Sequence, residues 1–193
     1  MSGEGTDRDG SAALPPRRGI LLAGTALLVY ALDLVTKVLA TANLEGRPPV
    51  RVLGGLVYLD LVRNPGAAFS MATGMTWVLT LVAIGVVVAI VWIVPKLRSV
   101  GWAIGLGLVL AGALGNLTDR LFRAPGAFEG HVVDFVSVFG PGGQYFPVFN
   151  VADSGISVGG VLIVLLAVLG REYDGTLTKT KKQRAQEQEA AGE

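Results

Sequence analysis

The stretch FPVFNVADSGISVGGVLIVLLAVL, residues 146–169, decides how the rest of the chain is interpreted. From Val151 onward it is apolar over close to the ~20 residues that cross the hydrocarbon core of a bilayer, which predicts a membrane-spanning helix. Asp153 lies in the first turn of that helix. Because an ionisable side chain at membrane depth costs free energy, Asp153 marks a candidate functional site whose partner lies elsewhere in the chain.

The composition fits a membrane protein with one domain. The chain has 193 residues, 51% hydrophobic and 16% charged, whereas soluble domains carry about 25% charged residues. It has no cysteine and a single histidine, His131. This composition excludes disulfides, thiolate ligands, a cysteine nucleophile and multi-histidine metal sites, so we expect no metal and no cofactor. The net charge of +1 and the lack of a basic patch with interleaved aromatic residues indicate no nucleic-acid partner.

Three further apolar runs are long enough to span a bilayer, at residues 20–41, 75–94 and 100–118. The first is longer than the ~7–15 residues of a signal-peptide core and contains Asp33 and Lys37, so we expect a retained helix.

The two ends of the chain are polar and charged, which favours disordered cytoplasmic tails at residues 1–19 and 171–193. The membrane domain then covers residues 20–170.

The placement of lysine and arginine predicts the orientation in the membrane. Four spans put both termini on one side. That side collects ten of the 16 basic residues, the other side holds five, and Lys37 lies within a span. Both termini should therefore be cytoplasmic.

The two outer loops carry short β-branched and aliphatic runs between glycines, at residues 50–53, 56–62 and 132–138. These runs are typical of strands, and the first two predict a hairpin. The expected fold is an all-α integral membrane protein of four transmembrane helices with a small extracytoplasmic β-cradle.

Asp134 is the natural partner for Asp153, since both are expected at the outer interface. Two carboxylates at close range share a proton. The ionised member can activate water, and the protonated member can donate a hydrogen bond to a scissile carbonyl. Asp153 is the better candidate for the ionised member, because a helix N-terminus favours negative charge. The alternative is that Asp134 is solvated and Asp153 is an ordinary charge of the first helical turn.

Several polar residues accompany the two acids. Asn150 is a preferred N-cap residue and could also offer its amide to a substrate backbone. Asn116, Asp119 and Arg120 share a helix face, although an arginine near a helix end often only extends to the interface.

Two other groups have ordinary explanations beside functional ones. Asp33 and Lys37 are spaced i, i+4 and fit a structural ion pair that could tie the first helix to Arg120 or to the outer loops. The run Arg63-Asn64-Pro-Gly66 mixes polar side chains with small residues and could also be a plain turn.

The run Gly155-Ile-Ser157-Val-Gly159 matches the G-x-S-x-G pattern of a nucleophile elbow. That motif requires a strand, a turn and a helix, whereas this run lies inside an expected span. Together with Gly101 and Gly105, its two glycines favour close helix packing instead.

Taken together, these pieces resemble one family, the bacterial lipoprotein signal peptidases (signal peptidase II), which are membrane aspartic peptidases. The matching blocks, in chain order, are Asp33-Leu-Val-Thr-Lys37, Arg63-Asn64-Pro-Gly66-Ala-Ala-Phe-Ser70, Gly112-Ala-Leu-Gly115-Asn116-Leu-Thr-Asp119-Arg120, His131-Val-Val-Asp134-Phe135 and Phe146-Pro-Val-Phe149-Asn150-Val-Ala-Asp153.

The resemblance implies a bacterial cytoplasmic-membrane enzyme, inhibited by globomycin, that removes signal peptides from prolipoproteins just before a diacylglyceryl-modified cysteine. It implies a catalytic dyad of Asp134 and Asp153. We expect a monomer in contact with membrane lipid, with an extracytoplasmic active site. The implied substrate-binding residues are Asn64, Gly66, Asn116, Arg120 and Asn150, and the implied structural residues are Asp33, Lys37 and Asp119.

Two features depart from the family pattern. Leu34 stands where the family often has glutamine. Residues 123–130 form a longer segment than usual, which could reshape one wall of the site but leaves both aspartates in place.

Two other classes of protein remain open at this point. A small proton-coupled transporter would use Asp33, Asp119 and Asp153 as a relay, which requires acids spread across membrane depth. A scaffold built on glycine-mediated helix packing gives no reason for two interfacial acids.

Overall fold

The structure is a computed structural model that describes residues 15–66 and 76–178. In these ranges four helices are long and apolar enough to cross a membrane. They are α1 (Gly19–Leu44), α2 (Thr76–Ile93), α3 (Val100–Phe122) and α4 (Val151–Val168). The four predicted spans are therefore confirmed, and α3 extends a turn beyond its predicted end.

Helix α3 lies at the centre of the four and packs against each of the other three. Its span is 56% buried, whereas the other spans are 11–17% buried. It also has the lowest hydropathy, 1.7 against 1.9 to 2.8. The most buried span is therefore also the least apolar, as expected for a helix that packs mainly against protein.

Glycines allow the backbones of α3 and α4 to approach closely. A Cβ atom at Gly112 would lie 2.3 Å from the carbonyl oxygen of Ala152, and one at Gly159 would lie 2.6 Å from that of Gly105. A side chain at either position would push the helices apart. The predicted packing role of the glycines is confirmed, and the G-x-S-x-G run lies within α4.

Three antiparallel strands form a sheet in the order β1 (Val50–Val52), β2 (Val57–Asn64), β3 (Val132–Val138). The predicted hairpin is β1–β2. The segment before α4 is joined to β3, since the Phe149 N–H donates to the Val136 carbonyl at 3.0 Å. Because β3 also packs on the end of α1 through Val133 and Ala40, it links the start of α4 to the helices.

The expected disorder from residue 171 is wrong for residues 171–178, which fold back against the α2–α3 link. The backbone N–H groups of Arg98 and Ser99 donate to the Tyr173 carbonyl at 2.9 and 3.1 Å. The Tyr173 ring meets Trp102 edge-on, with centroids 6.1 Å apart. Tyr173 thus satisfies two backbone donors and adds an aromatic contact. The remainder of both expected tails, 1–14 and 179–193, lies outside the described residues.

Candidate active site

The two candidate acids are brought together by different elements. Asp134 lies in β3 and is 2% exposed. Asp153 is the third residue of α4 and is partly exposed. Pairing of Phe149 with Val136 sets the start of α4 beside β3, so that both carboxylates border one cavity.

Asn150 connects the two carboxylates directly. Its side-chain amide donates to Asp134 Oδ1 at 2.7 Å, and its backbone N–H donates to Asp153 Oδ2 at 3.1 Å. Its Oδ1 accepts the Asp153 backbone N–H at 2.9 Å, which completes a capping box. The predicted N-cap role is therefore confirmed. The side chain is fully buried beneath the cavity rather than on its wall.

A second donor reaches each carboxylate from a neighbouring element. The Asn64 amide, at the end of β2, donates to Asp134 Oδ2 at 2.9 Å, and the Asn116 amide, on α3, donates to Asp153 Oδ1 at 2.8 Å. The Gly66 N–H donates to Asn64 Oδ1 at 2.9 Å and fixes that turn. All four carboxylate oxygens of the pair therefore accept a hydrogen bond.

Asp33 and Lys37 form the expected ion pair, 2.8 Å long and fully buried. The pair does not tie α1 to Arg120 as the sequence suggested. Lys37 Nζ instead contacts Asp119 Oδ2 at 2.9 Å and Asn116 Oδ1 at 3.1 Å.

Asp33 also hydrogen-bonds the start of α4, and Asp119 also hydrogen-bonds β3. Asp33 Oδ1 accepts the Ala152 N–H at 2.9 Å, and Asp119 Oδ2 accepts the Val133 N–H at 3.2 Å. Gly115 leaves room for this, because a Cβ there would lie 2.3 Å from Asp33 Oδ2. Both acids thus support the elements that carry Asp134 and Asp153.

The cavity has a volume of about 510 Å³, and its wall combines the acid pair with an apolar side. That volume suits a small-molecule or peptide segment. Its lining residues are Asn64, Gly66, Asn116, Arg120, Val132, Asp134, Phe146, Pro147, Val148, Phe149, Asp153, Ser154, Ile156, Ser157 and Val158.

Arg120 is 8% exposed and borders the cavity, and no described residue hydrogen-bonds its Nε atom. Because Arg120 borders the cavity, its guanidinium can donate to a carbonyl or carboxylate that enters there.

The α4 side of the cavity was missed by the sequence analysis. Ser154, Ile156, Ser157 and Val158 all line it. The i, i+4 spacing of Asp153 and Ser157 was the signal available, because those positions share a helix face.

The segment 123–130 does not reshape the cavity, since none of its residues lines it. The end of the segment is joined to the end of α3, because the Gly130 N–H donates to the Arg120 carbonyl at 3.0 Å. It then rests on α2, where the Thr80 hydroxyl donates to the Phe128 carbonyl at 2.9 Å. The segment therefore packs sideways against α2 rather than along the cavity.

Burial raises the pKa of Asp134 from 3.8 to about 7, and the nearby charge of Asp153 acts in the same direction. The amide donors of Asn64 and Asn150 and the charge of Lys37 oppose that rise. An acid with a pKa near 7 keeps a substantial protonated fraction at neutral pH.

The buried charges around the cavity also favour one shared proton. Three cations, Lys37, Arg120 and Arg123, accompany four carboxylates, those of Asp33, Asp119, Asp134 and Asp153. One proton on the cavity pair makes this cluster neutral, which lowers the cost of burying it.

These features first define a class: a multi-pass membrane protein with a polar cavity at one end of its helix bundle. The chain belongs to the signal peptidase II family, because the family model described as signal peptidase (SPase) II matches residues 25–169. It is therefore a signal peptidase.

Relatives and solved structures agree with this assignment. The chain is 58% identical to a lipoprotein signal peptidase of Rhodococcus jostii (strain RHA1), over 91% of this chain and 89% of the relative. It is 55% identical to that of Mycobacterium avium (strain 104), over 87% of this chain and 89% of the relative. A bacterial membrane enzyme solved in meso at 2.3 Å resolution has a TM-score of 0.71 and 27% identity, covering 81% of this chain and 93% of that one.

Proposed function

We propose that this chain is an aspartic endopeptidase that removes the signal peptide from prolipoproteins, cutting before a lipid-modified cysteine. One observation carries the proposal. Asn150 hydrogen-bonds Asp134 through its side-chain amide and Asp153 through its backbone N–H, and both carboxylates border one cavity. The names of the most similar relatives supply the substrate class.

The reaction follows from the different surroundings of the two acids. Asp153, as a carboxylate, takes a proton from a water molecule whose oxygen attacks the scissile carbonyl carbon. Asp134, as the acid, gives its proton to the carbonyl oxygen and a tetrahedral diol forms. As the diol collapses, the C–N bond breaks. One diol hydroxyl returns its proton to Asp134, and the leaving nitrogen takes a proton from Asp153.

The rest of the cavity provides for a lipid-bearing peptide. The Arg120 guanidinium is placed to donate to substrate carbonyls. The side chains of Phe146, Val148, Ile156 and Val158 make an apolar wall beside the acids. Such a wall can accept the apolar signal peptide and the acyl chains. Asn150 supports the dyad from below in this scheme rather than touching the substrate.

The proposal includes a setting for the enzyme. It is a monomer in the bacterial cytoplasmic membrane, with both termini in the cytoplasm and the cavity on the outer face. The basic residues near the α2–α3 link, before α1 and after α4 favour that orientation.

A transporter is less well supported by the same residues. Asp33, which the sequence placed well within a span, reaches the first turn of α4 through its contact with Ala152. The three buried carboxylates of the described chain and the partly exposed Asp153 therefore converge at one end instead of marking a path across the membrane.

The test is cleavage of a lipidated prolipoprotein peptide in proteoliposomes by Asp134→Asn and Asp153→Asn. Each should reduce kcat/KM by about 10²–10⁴-fold or more, because each removes a proton-transfer group. Asp174→Asn is a matched control, since this exposed acid hydrogen-bonds only within its own turn. Globomycin should block the wild-type reaction. Near-normal cleavage by either dyad variant, or labelling by a serine-directed acylating agent that stops the reaction, would refute the mechanism.

A further inference from the structure

Three asparagine amides point their NH2 groups at the acid pair, and each has its oxygen occupied by a group that can only donate. The Gly66 N–H holds Asn64, and the Asp153 N–H holds Asn150. For Asn116 the donor is the ammonium of Lys37, at 3.1 Å. A carboxamide whose oxygen faces a fixed donor must turn its NH2 the other way.

Lys37 differs from the other two donors because it is a side chain, not backbone. Its ammonium is fully buried, donates to Asn116 Oδ1 at 3.1 Å and forms ion pairs with Asp33 at 2.8 Å and Asp119 at 2.9 Å. An ammonium can donate hydrogen bonds but cannot accept them.

Building on the proposed dyad, we propose that Lys37 is a positioning residue for the reaction. Through Asn116, it keeps an N–H donor on Asp153 and so keeps this carboxylate ionised as the base. The path runs from Lys37 Nζ to Asn116 Oδ1, and from Asn116 Nδ2 to Asp153 Oδ1 at 2.8 Å. Without the ammonium, only the 3.2 Å hydrogen bond from the Asn150 amide holds the Asn116 oxygen. The Asn116 amide can then turn over more readily and offer its oxygen, which is a partner for a protonated Asp153.

Other groups around Asp153 replace only part of this control. Arg120 on α3 and Asp134 on β3 act on Asp153 by charge, and Asp33 and Asp119 lie on the far side of Lys37. None of these four groups hydrogen-bonds the Asn116 oxygen within the described chain. The Asn150 amide donates to that oxygen at 3.2 Å with one hydrogen and to Asp134 at 2.7 Å with the other, so it shares the Asn116 oxygen with Lys37.

The experiment compares the pH profile of kcat/KM for Lys37→Met and Arg123→Met in proteoliposomes. Arg123 is a matched control, because it also pairs with Asp119 but has no contact with Asn116. The acid limb is the low-pH part of the profile, where kcat/KM rises as the base ionises. Lys37→Met should move this limb to higher pH by about one unit, which lowers the rate on that limb about tenfold. Arg123→Met should leave the limb where it is.

A double-mutant cycle tests whether the effect passes through Asn116. In an Asn116→Ala background, Lys37→Met should move the limb no further. A Lys37→Met enzyme that loses thermal stability but keeps the wild-type limb would overturn the inference.

If Lys37→Met does not fold, Asn116→Asp removes the same donor while Lys37 stays in place. It should shift the limb upward too, and an unshifted limb would count against the inference. Failure of the dyad itself would appear separately, as cleavage by Asp153→Asn.

Discussion

Asp134 and Asp153 are chemically alike but differ in their surroundings. Asp134 is buried within a strand, and burial raises its pKa to about 7. Asp153 sits in the first turn of α4, with the Asn150 backbone N–H on one oxygen. A helix N-terminus favours a carboxylate. These differences support Asp134 as the acid and Asp153 as the base, the same assignment that the sequence suggested from helix position alone.

The pKa of Asp134 predicts how the rate depends on pH. The reaction needs its protonated form, so kcat/KM should fall as the pH rises through about 7. Asn64 donates to this carboxylate and so stabilises its ionised form. Asn64→Ala should therefore raise the pKa of Asp134. The base limb, which is the high-pH part of the profile where kcat/KM falls, should move to higher pH, and the reaction should also be slower.

Arg63→Gln is the control for that measurement, because Arg63 is adjacent in β2 but pairs with Glu45 at 2.7 Å. Its base limb should stay in place. If the Asn64→Ala limb did not move, or moved to lower pH, Asp134 would not be the group that limits the rate.

Most of the polar residues that the structure brings together at the cavity could be picked out from the sequence, because polar side chains are conspicuous in apolar spans and beside them. The orientation of the asparagine amides at the site could not be predicted. Which way Asn116 turns depends on Lys37, which is 79 residues earlier in the chain and on another helix. Only the fold brings such a donor into place.

At the level of elements, the seam between α3 and α4 determines where Asp153 lies. Ala152 contacts Gly112 on one side, and its N–H is held by Asp33 on the other. The start of α4 is thus fixed by packing as well as by its cap.

Gly159→Ala tests this seam, because its Cβ would lie 2.6 Å from the Gly105 oxygen and 2.9 Å from Leu108 Cβ. Overpacking of this kind costs about 1–3 kcal/mol, so the midpoint of thermal unfolding in detergent should fall. The neighbouring Gly160→Ala has nothing within 4 Å of the added atom, and alanine favours a helix, so its midpoint should hold or rise. Equal midpoints for the two variants would contradict a close-packed seam.

The helices and strands could be predicted well because their signals are local. Hydropathy marks the spans, and β-branched runs between glycines mark the strands. The turn at residues 171–178 could not be predicted, because its order comes from Arg98 and Ser99 on the α2–α3 link and from Trp102 at the start of α3. Segment 123–130 likewise takes its position from Thr80 on α2.

At the scale of the whole molecule, the buried acids and most of the basic residues lie at opposite ends of the helix bundle. The buried acids converge where α1, α3 and α4 meet the sheet. Basic residues collect at the opposite end, where the Arg18 N–H donates to the Leu97 carbonyl and Arg98 joins Tyr173. The central place of α3 was not evident in the sequence, although its lower hydropathy was a hint.

That separation predicts the orientation, and the chain is well suited to a direct test because it has no cysteine. Ala127 lies at the sheet end and Pro16 at the basic end, and both are exposed. Single cysteines at these positions can be compared in spheroplasts with a membrane-impermeant maleimide. Ala127→Cys should react from outside, and Pro16→Cys should react only after the membrane is opened, because the basic end stays in the cytoplasm. Labelling in the reverse order would place the cavity on the cytoplasmic face, where it could not meet a translocated prolipoprotein.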